Sequence, residues 1–157
     1  MAVSVRSAQP NDVLQLVALW HELNAFHVKL DPRFALDPDV EINWRDTFAQ
    51  WLQDDNCRML IAEENHRIVG YIFGTLHKMS FVAQEEYHGF IADVIVSARF
   101  RRQGIGEMLY RAITQWFRER SVAVVELNTA TANLMSQSFW HKMGFTDYMT
   151  RLRTELT

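Results

Sequence analysis

The feature that most constrains this chain is a strand, a basic turn with two glycines and a helix start that follow one another directly. Phe90 to Val96 is rich in β-branched residues and predicts a strand, while Gly104 to Arg120 carries apolar side chains at helical spacing. A helix N-terminus carries about half a positive charge, and its free N–H groups bind phosphate where glycine lets the ligand approach. Gly104 and Gly106 supply that access here, and Arg101 and Arg102 add fixed positive charge. The segment therefore predicts a phosphate or diphosphate site.

Two phosphate motifs are missing from this segment. A dinucleotide fingerprint needs a third glycine where this chain has Leu109, and a P-loop needs Gly-Lys-Ser/Thr after four intervening residues. The pattern Arg101-x-x-Gly104-x-Gly106 after an Ile/Val strand instead resembles the acetyl-CoA motif of the GNAT acetyltransferase superfamily. A protein that uses the same loop for another nucleotide diphosphate is a rival interpretation.

A second segment strengthens the resemblance. After a predicted strand at Val122 to Leu127 come Asn128, Asn133 and the run Ser138-Phe139-Trp140-His141-Lys142-Met143-Gly144-Phe145. This run is similar to the family's closing motif of Asn, a small residue, an aromatic pair and Gly-Phe. The chain is identified as a member of the superfamily over nearly its whole length.

The pattern along the chain predicts a mixed α/β fold in one domain, residues 1–157. Helices are predicted from Val13 to Phe26 and from Trp44 to Leu52, and a hairpin from Arg58 to Ala62 and Ile68 to Leu76. The resemblance implies the GNAT fold: a mixed, mostly antiparallel sheet of six to seven strands, with helices on both faces and a splayed parallel strand pair. The remaining predicted elements are a strand at Val3 to Arg6, a helix at Leu134 to Met143 ending at Gly144, and a last strand region at Phe145 to Leu156.

The resemblance implies acetyl-CoA as cosubstrate and assigns most of its contacts to the backbone. Strand residues 94–96 would bond the pantetheine amides like an extra strand, and N–H groups from Arg102 through Glu107 would hold the pyrophosphate. Asn133 would contact the pantetheine arm, and Trp140 would pack beside the thiol. The cofactor-binding candidates are Val94, Ile95, Val96, Arg101, Arg102, Gln103, Gly104, Ile105, Gly106, Glu107, Asn133 and Trp140.

The reaction that the resemblance implies is direct acetyl transfer to a primary amine in a ternary complex. An amine of pKa about 10.4 is unprotonated only about once in 2,500 molecules at pH 7, a handicap of roughly 4.6 kcal/mol. A general base is therefore valuable. Asp93, on the central strand, is the first candidate, against the alternative of a structural carboxylate. Glu86 and His88 enter the same strand and are further candidates for a proton relay, against a solvated loop.

Trp140 departs from the family pattern, because many members carry a tyrosine there that protonates the departing thiolate. An indole N–H cannot act as that acid. A catalytically silent acyl-CoA sensor or regulatory module is therefore the alternative function. The acceptor would be a small-molecule or peptide amine, held by aromatic residues beside acidic ones, although most of those aromatics are equally explained as core. The acceptor-binding candidates are Phe26, Phe34 and Tyr87.

Composition excludes several other classes. The 16 Lys and Arg residues against 19 Asp and Glu give a net charge of -3, which argues against a nucleic-acid binder. No apolar run approaches the roughly 18 residues of a membrane span, and residues 1–9 lack a secretory signal, so we expect a cytoplasmic protein. The single Cys57 and the spacing of the histidines predict no metal site, and Cys57 reads as packing. The last strand, at an exposed edge, could pair with a second copy in a homodimer.

Overall fold

Within the residues that the computed structural model describes, 2–78 and 87–156, five strands form one sheet in the order β1-β2-β3-β4-β5. Four α-helices connect or follow these strands. The strands are β1 Ser4–Ser7, β2 Cys57–Glu64, β3 Arg67–Lys78, β4 Tyr87–Val96 and β5 Val125–Leu127. The helices are α1 Val13–Leu30, α2 Val40–Trp51, α3 Ile105–Glu119 and α4 Leu134–Lys142.

The sheet is antiparallel from β1 to β4 and parallel between β4 and β5. The parallel pairing covers only three positions, from Gly89 opposite Val125 to Ile91 opposite Leu127. Strand β4 continues for five more residues to Val96, whereas β5 ends at Leu127. The two strands therefore share one end and leave a gap along the second half of β4.

A β-bulge marks the point at which this gap begins. Phe73 on β3 lies opposite Asp93, but the next residue, Gly74, lies opposite Ile91, so Ala92 is an extra residue on β4. A bulge bends its strand and reverses the alternation of backbone and side-chain directions beyond it. Ala92 directly follows the last residue of β4 that pairs with β5. The bulge therefore lies where the pairing of β4 with β5 ends.

Helices α1 and α2 cover one face of the sheet. The buried residues of α1 recur every three or four positions along one stripe, as an amphipathic helix requires, and they are Leu16, Val17, Leu19, Trp20 and Leu23. Trp44 of α2 packs on Trp20, with ring centroids 5.8 Å apart. The sheet contributes its own side chains to this core, among them Met59, Ile61, Tyr71, Phe73 and Ile95.

Helix α3 covers the opposite face, where α4 also packs. The buried residues of α3 fall on one stripe. Two glycines in the sheet allow this helix to pack closely against the strands. A Cβ atom at Gly89 would lie 2.8 Å from the ring of Phe117, and one at Gly74 would lie 2.9 Å from Ile113. The core residues of this face that belong to the two helices are Ile105, Leu109, Ile113, Trp116, Phe117 and Trp140.

The predicted fold class is confirmed, and one predicted strand is wrong. The mixed, mostly antiparallel sheet with helices on both faces and one parallel pair is present. The described residues form five strands and not six to seven, because residues 145–156 pair with no strand and stay irregular. Within residues 2–78 and 87–156, no helix is both long and apolar enough to cross a bilayer.

Candidate active site

The gap beside β4 exposes backbone groups to a ligand. The Ser97 N–H donates to the Val69 carbonyl at 2.8 Å, so Ser97 and, two residues earlier, Ile95 direct their backbone groups toward β3. By the same alternation Val94 and Val96 direct theirs into the gap. Of the three predicted pantetheine contacts, Val94 and Val96 therefore face the gap, where the Val96 carbonyl already accepts a hydrogen bond from Arg101 Nε, and Ile95 is paired within the sheet.

A helix N-terminus lies where β4 ends. Gly104 is the N-cap of α3, with a left-handed φ of 81°. Neither a side chain nor a backbone carbonyl of the described residues accepts the N–H groups of Ile105, Gly106 and Glu107. A Cβ atom on Gly104 would meet nothing within 4 Å, so the space before the helix is open. The turn thus presents three free N–H groups and the positive end of a 15-residue helix.

The two arginines of the turn have different surroundings. The Arg101 Nε donates to the Val96 carbonyl at 2.9 Å, and its guanidinium lies 5.8 Å from the centroid of the Phe26 ring. Nη2 of Arg101 also lies 3.5 Å from Glu22, whose carboxylate accepts the Ala98 N–H. Arg101 therefore ties the turn to β4 and α1. Its neighbour Arg102 has a left-handed φ of 64°, is exposed, and has no ion pair with any residue described.

The side chains of the other predicted residues of the turn, Gln103, Ile105 and Glu107, are engaged within the protein. Glu107 accepts from Arg111 at 2.7 Å and lies 3.6 Å from the Lys142 ammonium, and Arg111 is the main cause of its lowered pKa. The Ile105 side chain is buried in the core, and the Gln103 side chain reaches back to the Arg99 carbonyl at 3.5 Å. These residues can therefore serve a ligand mainly through their backbone.

Asn133 and Trp140 are both committed to the packing of α4. Asn133 is 7% exposed, and its Oδ1 accepts the Ser136 N–H at 3.0 Å, which caps the helix. Trp140 is 3% exposed, with its ring in edge contact with Tyr110, Phe139 and Phe145. The structure thus explains both residues by local packing, whatever contact either makes with a ligand.

Asp93 lies at the start of the gap, on the face that α1 and α2 cover. Its carboxyl is half-buried and lies 3.5 Å from the Tyr71 hydroxyl. Burial raises the pKa of Asp93, while the hydrogen bond from Tyr71 acts in the opposite direction. Tyr71 is fully buried, and burial raises the pKa of its hydroxyl well above the usual value, so it stays a donor. A carboxyl in this setting is suited to accept a proton.

Tyr71 was missed by sequence reasoning. It lies in the apolar run of β3, where a tyrosine reads as core. Its meeting with Asp93 depends on the register of β3 against β4, in which Tyr71 is opposite Ile95 and Phe73 is opposite Asp93, so that Tyr71 and Asp93 are diagonal neighbours on one face. Chain position alone carries no signal for such a contact.

The other catalytic candidates lie away from Asp93 or outside the described residues. His88 is five residues before Asp93 on the same strand, which corresponds to about 16 Å. Its Nδ1 is buried with no hydrogen-bond partner among the described residues. Tyr87 is next to it and lies under the Lys78 ammonium, 5.7 Å from the ring centroid. Glu86 belongs to residues 79–86, which lie outside the described part of the chain.

The two aromatic acceptor candidates of the first half of the chain come together at the end of α1. Phe26 lies beside Arg101, and Phe34 lies in the short turn after α1, 42% exposed. The His27 ring is 6.1 Å from Phe26 and 5.7 Å from Phe34, centroid to centroid, and burial lowers its pKa. These rings form one aromatic group beside the turn.

The described part of the chain contains no group of side chains suited to bind a metal ion. No group of three His, Cys, Asp or Glu side chains among residues 2–78 and 87–156 could hold an ion. Cys57 is half-buried at the edge of the α1–α2 core, and burial, followed by the charge of Asp54, raises the pKa of its thiol to about 11. A thiol with a raised pKa is a poor nucleophile, which agrees with its role in packing.

Comparison with known proteins identifies the family. A model of the acetyltransferase (GNAT) family matches residues 17–145, and the chain therefore belongs to this family. Among solved structures, the tetramutant of a Bacillus halodurans protein is 21% identical with a TM-score of 0.87, over 98% of this chain and 99% of that one. Glucosamine-6-phosphate N-acetyltransferase from Arabidopsis thaliana is 16% identical with a TM-score of 0.77, over 100% of both chains.

An aminoglycoside acetyltransferase from an uncultured soil metagenomic sample, in complex with trehalose, is also similar. It is 20% identical with a TM-score of 0.74, over 99% of this chain and 95% of that chain. At these identities the likeness to each structure concerns the fold.

Proposed function

We propose that this protein is an N-acetyltransferase that moves an acetyl group from acetyl-CoA to a primary amine of a small molecule or peptide. One observation carries the proposal: a single gap leads from the free N–H groups at the start of α3, past the backbone of β4, to the half-buried Asp93. The free N–H groups suit a diphosphate, the backbone of β4 suits an extended chain with amide groups, and Asp93 suits the reacting amine.

The residues present fit coenzyme A. Its pyrophosphate suits the N–H groups of Ile105, Gly106 and Glu107, which have no acceptor among the described residues, with the exposed Arg102 beside them. Its amide-containing arm suits the strand edge at Val94 and Val96. When bound, acetyl-CoA supplies the activated acetyl group. The chain's own side chains and backbone bind the substrates, orient them and accept the proton.

Asp93 is the proton acceptor in this proposal. The acceptor amine must lose a proton to attack, and at pH 7 the protonated form of a lysine-like amine is favoured by roughly 4.6 kcal/mol. A carboxyl whose pKa is raised by burial takes up that proton more readily than an ordinary aspartate. Tyr71 orients the carboxyl by its hydrogen bond and is a positioning residue.

The acceptor would enter at the end of α1. The aromatic group of Phe26, His27 and Phe34 supplies apolar faces there, and Asp31 supplies a carboxylate that Arg33 also contacts. Hydrogen bonds from Arg33 lower the pKa of Asp31 to about 2, so it is ionised at neutral pH. An amine cation is matched by such a mixture of ring faces and negative charge.

Calorimetry and a thiol-release assay test the proposal together. We expect heat on titration with coenzyme A, and amine-dependent release of free thiol from acetyl-CoA across a panel of small amines, aminoglycosides and peptides. A specific ligand at 100 times its dissociation constant stabilises a protein by about 2.7 kcal/mol, so thermal-shift ranking of CoA, NAD and ATP gives an independent check. No heat with coenzyme A, or a larger shift with NAD or ATP, would refute the cofactor assignment.

The second candidate is a catalytically silent acyl-CoA sensor. The observation that favours it is Trp140, whose buried indole cannot protonate a departing thiolate. Tight binding of coenzyme A, no turnover with any amine, and no effect of Asp93→Asn on acetyl-CoA consumption would together favour the sensor over the enzyme.

A further inference from the structure

Two guanidinium groups lie against one indole ring at the C-terminal end of α3. Trp116, in the last turns of the helix, is 5% exposed. The Cζ atoms of Arg58 on β2 and of Arg120, which follows α3, each lie 5.7 Å from the centroid of its ring. A guanidinium group is attracted to the negative face of an aromatic ring. These three residues, the arginine–tryptophan cluster, therefore bring two positive charges from separate parts of the chain to one place.

Two buried N–H donors of the arginine–tryptophan cluster have no acceptor. Nε of Arg58 and Nε1 of Trp116 are closed to solvent and make no hydrogen bond within residues 2–78 and 87–156. In those residues the only other buried side-chain atom of this kind is Nδ1 of His88. Buried polar groups of proteins nearly always have a partner, so two unpaired donors in one cluster point to an acceptor from outside the chain.

The charges of the cluster are not neutralised by a carboxylate. Arg58 Nη1 donates to the Ser7 hydroxyl at 3.3 Å, and Arg120 Nη1 donates to the Asp55 carbonyl at 2.9 Å, so both acceptors are uncharged. Glu119, next to Arg120, accepts from a glutamine of its own helix at 3.1 Å. The end of a helix carries about half a negative charge, which two guanidinium groups outweigh. A net positive charge therefore remains here, with Arg120 exposed and Arg58 half-buried.

The cluster lies at the opposite end of α3 from the turn that presents the free N–H groups. Trp116 follows Ile105 by 11 positions in the helix, which corresponds to roughly 16–17 Å along its axis. A small molecule bound at one end of α3 therefore leaves the other end free. The cluster is a separate place on the molecule and is not part of the candidate active site.

We propose that the arginine–tryptophan cluster binds a phosphate group. Each guanidinium group is a fork of N–H donors, and two such forks offer more donors than the two oxygens of a carboxylate can accept. A phosphate monoester has three terminal oxygens and about two negative charges, which match the two arginines. Free phosphate and the phosphate group of a larger small molecule share this chemistry. The inference does not depend on the proposed enzymatic activity.

Nitrogen-15 NMR of the indole N–H groups tests the proposal at the site itself. The chain has five tryptophans, and Trp116→Phe identifies the signal of Trp116. Titration with inorganic phosphate at constant ionic strength should shift this signal saturably. The signals of Trp20 and Trp44, in the core on the other face of the sheet, should stay in place. The amide of Gly106 reports separately on phosphate bound at the start of α3. No saturable shift of the Trp116 signal would overturn the proposal.

Three glutamine variants show which charges hold the anion. Arg58→Gln and Arg120→Gln each remove one guanidinium group and should raise the dissociation constant of phosphate, measured at the Trp116 signal, by at least about tenfold. Arg118→Gln is the matched control, because Arg118 is exposed on the same helix and its loss changes the net charge equally. It should bind phosphate normally. Equal weakening by all three variants would overturn the proposal, since net charge alone would then explain the attraction.

Circular dichroism of each variant establishes that the fold persists. Arg120 is exposed, so Arg120→Gln keeps the test valid even if Arg58→Gln does not fold.

Glycerol phosphate and acetate, titrated in the same way, distinguish the sources of the anion. Glycerol phosphate that binds as tightly as inorganic phosphate, or more tightly, would identify the phosphate group of a larger molecule as the ligand. Binding of inorganic phosphate alone would identify the free ion, and either result supports the site. Acetate that binds as tightly as phosphate would overturn the assignment to a phosphate group.

Discussion

The Tyr71 hydroxyl on β3 lies 3.5 Å from Oδ2 of Asp93 on β4, so the carboxyl at the start of the gap is held from within the sheet. Burial raises the pKa of Asp93, and the Tyr71 hydrogen bond partly offsets that rise. These two influences set the pH above which Asp93 is ionised. Because Tyr71 is fully buried, its position varies little, and the geometry of the pair is fixed by the packing of β3.

Removing the Tyr71 hydroxyl should move the pH profile without abolishing turnover. In Tyr71→Phe the carboxylate loses a donor that stabilises its charged form, so the pKa of Asp93 rises further. If Asp93 must be ionised to accept a proton, the acidic limb of kcat/KM shifts to higher pH. Tyr148→Phe, at a tyrosine that is 77% exposed, is the matched control and should leave the profile in place. An unchanged profile in Tyr71→Phe would argue against Asp93 as the base.

Asp93→Asn should remove the base and keep the binding site. General base catalysis contributes roughly 10²- to 10⁴-fold, so we expect kcat to fall within that range. The dissociation constant for coenzyme A, measured by calorimetry, should change less than about threefold, because the predicted cofactor contacts are backbone groups of other residues. Full activity in the variant would make Asp93 a structural carboxylate.

Gly104 and Gly144 offer a matched pair of left-handed glycines. Their φ angles are 81° and 95°, and a Cβ atom at either would meet nothing within 4 Å. An alanine at either position therefore costs only the free energy of placing a Cβ-bearing residue in the left-handed conformation, about 1–2 kcal/mol. Gly104→Ala should raise the dissociation constant of coenzyme A about 5- to 30-fold, since the strain displaces the turn that aligns the N–H groups. Gly144→Ala should lower the unfolding free energy by a similar amount and leave binding unaltered.

Lysine substitutions separate the roles of the two arginines in the turn. Arg101→Lys keeps the charge but loses the planar group that bonds Val96 and lies over Phe26. Loss of one charge-assisted hydrogen bond of about 1.5 kcal/mol predicts roughly a tenfold weaker binding of coenzyme A. Arg102→Lys keeps the charge of an exposed side chain and should bind normally. If both variants bind alike in calorimetry, Arg101 acts only as a charge.

The sequence was informative wherever local pattern decides structure. The amphipathic spacing of α3 and the glycines at its start predicted the helix and its exposed N-terminus, because both follow from neighbours within a few residues. The run of Val and Ile in β4 predicted the central strand in the same way. Most element boundaries moved by one to three residues between prediction and structure.

What the sequence did not predict depends on distant contacts. The register of β3 against β4, which shifts at Ala92, brings Asp93 near Tyr71, and no local pattern records that register. Arg101 reads as a free cation, but the packing of α1 places Glu22 and Phe26 beside it. The pattern of residues 145–156 is that of a strand, yet among the described residues this segment pairs with no strand of the sheet.

The ion pairs of Arg6 make acid stability a further test of the fold. The Arg6 guanidinium contacts Asp12 at 2.8 Å and also bonds Glu63, so it joins β1, the turn before α1 and β2. The hydrogen bond from Arg6 is the largest cause of the lowered pKa of Asp12, which is only 7% exposed. A carboxyl with a lowered folded-state pKa stabilises the protein above its unfolded pKa of about 3.9, and this contribution is lost as pH falls through the folded value.

Asp12→Asn should therefore destabilise the protein most at neutral pH and progressively less in acid. Replacing a charge-assisted hydrogen bond by a neutral one predicts a loss of about 1 kcal/mol in the free energy of unfolding at pH 7. Urea denaturation between pH 2 and pH 7 measures the loss of unfolding free energy at neutral pH and its decrease in acid. Asp46→Asn, on the exposed side of α2, is the control and should give a curve parallel to that of the unmodified protein. If Asp12→Asn also runs parallel, the pair with Arg6 contributes no pH-dependent stability.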